Sequence, residues 1–279
     1  MTRVVSHIGQ IEEIWSNTEA FLQDQNKKAA VIALLDEILQ LLKSGQYRVC
    51  EKVNDSKEDD NWQVNDWLKK AILLLFKFLD AKISSNGASI AFDKIPLRFN
   101  AQMTAEDFMA MSIRVCAGAI IRNGVFLDRE AVIMPSFINI GAHIGQATMI
   151  DSMTTIGSCA QIGANCHISS GVTIAGVLEP LAQRPVIIED DCFIGAGSQI
   201  SEGMLIGRGS VISSGVTLCS STKIYDRELR NVTYNKIPPY SVVVPGMMQA
   251  AGPAPLCAII VKKVDAKTRS KTSINEILR

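Results

Sequence analysis

The chain has 279 residues with 28 basic and 28 acidic side chains, so it can bury a sizeable core and carries no net field that would draw nucleic acid or a membrane surface. Seven cysteines, odd in number and without a CxxC pair, argue for structural thiols in a reducing compartment and against disulfides or a zinc site. The N-terminus lacks the apolar core of a signal peptide, and the most apolar run, Ala71 to Leu79, is too short to cross a bilayer; the expectation is a cytoplasmic protein.

Residues 8–44 predict two helices. Ile11, Ile14, Trp15, Thr18, Phe21 and Leu22 recur at helical spacing in the first; Val31, Leu34, Leu35, Ile38, Leu41 and Leu42 do so in the second, which stops near Gly45. Residues 47–53 alternate like a short strand, Asp55 to Asn61 read as a turn or loop, and Trp62 to Leu79 as a third helix. This small helical domain is expected to pack on one end of the repetitive C-terminal half, covering an exposed strand edge. Residues 84–113 read as a linker with a turn at Pro96 and a short helix near Thr104 to Met111.

From Ile120 the period becomes six. Phe126, Val132, Ile138, Ile144, Ile150, Ile156, Ile162, Ile168 and Ile174 come next, then after one step of fourteen Ile188, Ile194, Ile200, Ile206, Ile212, Leu218 and Ile224. Neither a helix nor an ordinary strand has this period; a hexapeptide solenoid does, three hexads closing one triangular coil. Each of these residues should point into the prism and stack on its counterpart three hexads away. The small residue two places earlier (Thr148, Thr154, Ala160, Cys166, Val172, Cys192, Ser198, Ser210) should point inward with it, because side chains alternate along a strand. Nearly six coils at strand spacing give a rod on the order of 27 Å. The one interruption, the Pro-bounded loop 176–185, leaves a corner of an otherwise strict scaffold and reads as a binding feature. Residues 257–265 predict a strand, Ala266 to Lys271 a basic turn, and Ser273 the start of a last helix with a Ser-Ile-Asn-Glu capping box. The division is residues 1–112, helical domain and linker; 113–230, solenoid; 231–279, C-terminal extension.

The stretches PSFINIGAHIG, IDSMTTIGSCAQIGANCHISSGVTIAGVLEPL, VIIEDDCFIGAGS and AIIVKKVDAKTRSKTSINEILR resemble the tetrahydrodipicolinate N-succinyltransferase family, over nearly the whole chain and most densely from 130 to 279. The resemblance implies a mainly β protein: a left-handed parallel β-helix with an α-helical N-terminal domain and a small C-terminal strand and helix. It implies transfer of succinyl from succinyl-CoA to the amine of the open-chain 2-amino-6-oxopimelate form of tetrahydrodipicolinate, in the succinylase branch of diaminopimelate and lysine synthesis. A homotrimer with active sites between neighbouring solenoids, and no metal, belong to the same expectation. Two substrate-binding positions match, Arg114 in Ile-Arg-Val-Cys-Ala-Gly and Asp151 in Thr-Met-Ile-Asp-Ser, the latter also catalytic. From spacing alone Asp151 is equally a solvated corner residue, and Arg114 a surface ion-pair residue.

Their chemistry suits the roles. A planar guanidinium grips a carboxylate through two hydrogen bonds, and a carboxylate beside an ammonium can hold it and help remove its proton. Coenzyme A is expected along the solenoid beside the inserted loop at Gly176, with its phosphates near Lys262, Lys263, Lys267, Arg269 and Lys271. One departure stands out: after CFIGA the family has Arg-Ser-Glu, whose Glu partners the Asp in acid/base work, and this chain has Gly197-Ser198-Gln199. Gln accepts no proton at neutral pH, so either Asp151 suffices or Glu202 or Glu189 stands in. Rival readings are a solenoid O-acyltransferase, which needs a base such as His143 or His167; a zinc hydratase, which needs three converging histidines where this chain has His7, His143 and His167 in all; and a scaffold without activity.

Overall fold

The computed structural model describes residues 2–53, 61–85, 90–248 and 254–272. The repeats form two-residue strands in three parallel ladders that make the sides of a prism. One side carries His143, which pairs with Phe126 and Gln161; the second carries Met149, paired with Val132 and His167; the third carries Thr155, paired with Phe137 and Thr173. They are called below the His143, Asp151 and Gln199 faces. Inside, Ile144, Ile162, Ile188 and Ile206 stack on the first, Ile150, Ile168, Ile194 and Ile212 on the second, and Ile156, Ile174, Ile200 and Leu218 on the third, all essentially without exposure. Each such burial contributes roughly 1.5–3 kcal/mol.

The small inward position does more than fill space. Thr148 Oγ1 donates to Gly163 O at 2.7 Å, Thr154 Oγ1 to Ser169 O at 3.1 Å and Ser198 Oγ to Ser213 O at 3.0 Å, each a corner carbonyl fifteen residues on. Cys166 Sγ reaches Glu189 O at 3.2 Å and Cys192 Sγ reaches Gly207 O at 3.3 Å in the same way. A buried hydroxyl or thiol is tolerated here because the next coil supplies its acceptor. All seven cysteines are free.

The six-residue register slips at both ends. In the first coil the inward residues are Ile121, Leu127 and Ile133; Ile120 is 40% exposed and Phe126 only half-buried. The corner Met134-Pro135-Ser136 has one residue fewer than its neighbours, closed by Ser136 Oγ donating to Met134 O at 2.8 Å, so the next inward residue is Ile138. At the other end Ile224 is buried but leaves the ladder: Lys223–Asp226 turns back on Asn231–Thr233, and Ile237 takes the rung above Ile206. Strand Ser241–Met247 continues the Asp151 face and pairs antiparallel with Leu256–Lys263, the predicted C-terminal strand. Residues 266–271, read as a turn, belong to a helix, Ala266–Thr272, because Asp265 Oδ1 accepts from both Thr268 N and Oγ1 at 2.7 Å and caps it. The helix expected from Ser273 lies outside the described residues, as do residues 54–60 of the charged loop.

The N-terminal part contains α1 (Thr2–Ser16), α2 (Thr18–Gln23), α3 (Gln25–Lys43) and α4 (Asp66–Phe78). The first predicted helix is divided at Asn17, and Asp24 caps α3 by accepting from Asn26 N and Lys27 N. The third begins at Asp66, not at Trp62, since Trp62–Val64 is spent on an antiparallel ladder with Cys50–Lys52. The linker holds α5 (Ala105–Met111), with a complete Thr104–Asp107 capping box, and an unpredicted hairpin, Lys82–Ser85 with Ile90–Asp93.

This domain lies along the His143 face, not on the end of the prism. That face turns apolar side chains outward, and Ile187 and Leu205 pack against Cys50, Trp62 and Val64. Arg48 Nε donates to Gln161 Oε1 at 2.7 Å and Lys52 pairs with buried Glu189 at 2.9 Å. The open end of the first coil is closed instead by Phe99, in contact with Phe108, by Ile113, and by an antiparallel bridge from Leu97 to Arg122.

Candidate functional site

Arg114 and Asp151 emerge on the same face. Arg114 pairs with Val132, which pairs with Met149, so Arg114 stands two rungs, about 10 Å by ordinary strand spacing, from the strand that presents Asp151. Asp151 comes directly after inward Ile150, and its backbone N–H bonds to Ile168 O at 2.9 Å, which turns the side chain outward. Its Oδ1 accepts from Ser152 N at 2.6 Å. Its Oδ2 lies 3.7 Å from His167 Nε2, on the next rung. The His167 ring sits edge-on to Phe193, centroids 5.2 Å apart. Burial lowers the His167 pKa below 6.5 and the Asp151 charge only partly offsets this, so the imidazole is neutral at pH 7. The Asp151–His167 pair was legible in the sequence only through the eighteen-residue rung, which places position 167 beside position 149.

The other histidines go elsewhere. His143 stacks on Phe126 at 4.5 Å on the face covered by the N-terminal domain, where burial drives its pKa well down. It borders a cleft of about 350 Å³ with Arg48, Lys52 and Trp62. His7 bonds Tyr47 Oη through Nδ1 at 2.8 Å. The three do not converge.

Gln199 is exposed, in the column of Thr173 and Thr217, and so lies on a different face of the prism from Asp151. Of the two candidate substitutes, Glu189 is occupied: it pairs with Lys52 and accepts from Arg208 N at 2.9 Å. Glu202 is exposed at a corner, where hydrogen bonds from Ser220 Oγ and N hold its carboxyl below the usual range. It stays a carboxylate, without a contact to Asp151.

The inserted loop is anchored, not free-swinging. Fully buried Lys69 of α4 donates to Gln183 O at 2.6 Å, Leu178 packs against the helical core, and Arg184 donates twice to Gly203 O. Gly176 sits at its root, its backbone stacked so closely on Gly157 that neither has room for a Cβ. Of the C-terminal cations, Lys262 pairs with Asp265 at 2.5 Å and Lys263 reaches Pro239 O at 3.2 Å, both staying exposed, as is Lys267. Arg269 is half-buried and clamps the last described helix to the prism, donating to Asp191 O at 2.8 Å and Gly209 O at 3.1 Å. No described helix is long and apolar enough to cross a membrane.

Comparison with known proteins gives a consistent pattern. Residues 8–78 match the model described as tetrahydrodipicolinate N-succinyltransferase N-terminal; residues 141–176 match the bacterial transferase hexapeptide, and 185–220 the hexapeptide repeat of succinyl-transferase. The 2,3,4,5-tetrahydropyridine-2,6-dicarboxylate N-succinyltransferase of Methylobacterium sp. (strain 4-46) is 52% identical over 88% of this chain and 89% of its own length. That of the Wolbachia of Brugia malayi is 48% identical over 96% of both. A crystal structure from Campylobacter jejuni, described as a putative 2,3,4,5-tetrahydropyridine-2-carboxylate N-succinyltransferase, superposes with a TM-score of 0.53 at 19% identity, over 85% of this chain and 63% of that one, and so supports the fold alone.

Proposed function

The chain belongs to the 2,3,4,5-tetrahydropyridine-2,6-dicarboxylate N-succinyltransferase family, and from that premise we propose how its faces carry out the reaction. The enzyme transfers a succinyl group to the amine of tetrahydrodipicolinate in its open-chain 2-amino-6-oxopimelate form, in diaminopimelate and lysine synthesis. The donor is succinyl-CoA. The solenoid is left-handed, and three copies pack in parallel to form a cytoplasmic homotrimer with the reaction in the clefts between them.

What supports this reading most directly is the placing of Arg114 and Asp151 on one face, two rungs apart. Arg114 takes a carboxylate of the substrate through its planar guanidinium. Asp151 holds the substrate's ammonium beside the thioester. Attack of the amine on the thioester carbonyl forms the C–N bond, and collapse of the intermediate breaks the C–S bond and releases coenzyme A as its thiol. Positioning supplies most of the acceleration for such an acyl transfer. The pantetheine arm runs beside the loop rooted at Gly176, and the exposed Lys262, Lys263 and Lys267 meet the phosphates. Arg269 orders that segment through its carbonyl contacts and completes the cationic site. Gln199 stands two rungs from Thr155 on the ladder that follows the Asp151 corner; in this reading it serves the reaction from a neighbouring copy, where it orients by hydrogen bonding.

Thiol release on adding succinyl-CoA with a panel of amines and alcohols tests the function. The dicarboxylic amine should be the preferred acceptor; faster release with alcohols would overturn the assignment. Sedimentation should show a trimer, and a fully active monomer would defeat the inter-subunit site. Gln199→Glu should change turnover only a few-fold and leave the trimer intact. Glu202→Gln should be near-neutral, because its carboxylate serves Ser220; a collapse of activity at unchanged thermal stability would make Glu202 the second acid/base group.

A further inference from the structure

Resting on the placement of the amine at Asp151, the geometry of the Asp151 face assigns a further catalytic group. We propose that His167 is the base of this site: the amine sits between Asp151 Oδ2 and His167 Nε2, the carboxylate holding the ammonium and the imidazole taking its proton.

Three observations point this way. His167 Nε2 is buried yet makes no hydrogen bond, an expensive condition for a ring nitrogen unless a ligand relieves it. The group it faces is the one oxygen of Asp151 that Ser152 leaves unoccupied. Their separation, 3.7 Å, is too long for a direct hydrogen bond. A nitrogen with two protons placed against both atoms satisfies both. Both side chains are partly exposed, His167 by 22% and Asp151 by 28%, while Nε2 itself has no exposed surface.

The surroundings favour a base rather than a fixed cation. On the strands that flank His167, Met149 precedes it by one rung and Phe193 comes one rung after it, both uncharged, with Ser169 beyond it on its own strand. Among the described residues Asp151 is the charged group whose field acts on it, and burial outweighs that field, leaving the ring neutral and able to accept. The proton balance closes without another reactant. Nε2 takes one proton from the ammonium, and the freed lone pair forms the C–N bond. The C–S pair leaves on sulfur, which takes the proton back from the imidazolium. The second proton of the new amide nitrogen leaves through Asp151 to solvent.

The test is His167→Gln, assayed for thiol release across pH beside Asp151→Asn. His167→Gln should lower kcat by about 100-fold, the scale of general-base catalysis, with the KM for the amine within a few-fold because Asp151 still holds it. The wild-type acid limb, where turnover falls as pH drops through a midpoint below 6.5, should vanish in the variant. If Asp151→Asn abolishes turnover while His167→Gln keeps both rate and pH profile, His167 is not the base although the site is right. If Asp151→Asn is harmless, the placement itself fails. The wild type offers a reading free of any folding defect: with three histidines in the chain, the ¹⁵N-imidazole signals can be assigned. The His167 signal should titrate below 6.5 and shift on adding a dicarboxylic amine without acyl donor. A His167 signal indifferent to that amine overturns the proposal.

Discussion

Asp151→Asn is expected to remove about 99% or more of succinyl transfer while leaving thermal unfolding unchanged, a loss of roughly 2.7 kcal/mol in transition-state stabilisation. The substitution is isosteric, and the retained oxygen can still accept from Ser152 N, so the corner keeps that hydrogen bond. The core is not involved: the stacked Ile150 beneath it is fully buried and unaltered. What disappears is the negative charge that attracts an ammonium and completes the gap opposite His167. The expected loss stands well above what a surface carboxylate contributes to folding. Steady-state thiol release and a melting curve decide it. Retention of more than a tenth of turnover would move the substrate away from Asp151.

How much of this could be read beforehand depends on which residues carry a strong period. The inward isoleucines and the small residues two places before them were legible because a closed prism has no other place for them. The register slip at Pro135 was not: a shortened corner moves the inward position by one, and Ile120-Ile121 and Val132-Ile133 offer an apolar residue at either choice. Trp62 to Val64 read as helix because Trp and Val fit the apolar run of α4, whereas the decisive interaction is the distant pairing with Cys50 to Lys52. The domain's seat along the prism was present in Ile187 and Leu205, which point outward and are apolar, but a count that tracks only inward residues passes over them. Arg114 and Asp151 were found by resemblance, and their sharing of a face needed the rung pairings. The alignment of His167 with Asp151 needed those pairings too, plus the orphaned Nε2 that only coordinates reveal.

The second large effect is structural. Gly157→Ala should destabilise the chain by about 3 kcal/mol or more, at the upper end of overpacking costs, and far more than Gly171→Ala. The two glycines are required for different reasons. Gly171 has φ +68 and nothing within 4 Å of where a Cβ would stand, so alanine there meets only the left-handed backbone penalty, roughly 1–2 kcal/mol. At Gly157 the obstacle is space. A Cβ would lie 2.0 Å from Gly176 N, 2.4 Å from Gly176 Cα and 2.6 Å from Ala175 C, all backbone atoms that cannot rotate away. Relief requires the two coils to part where Gly157 N bonds Ile174 O at 2.8 Å and Val177 N bonds Ser158 O at 3.1 Å. Those bonds lie at the root of the 176–185 loop, whose far side is tied to α4 by Lys69, so the strain passes into the seat of the helical domain. Denaturant midpoints of the two variants, with hydrogen exchange at the Val177 amide as a reporter of the loop root, separate the causes. Equal destabilisation by both would show that backbone conformation, and not the close approach of the coils, reserves position 157 for glycine.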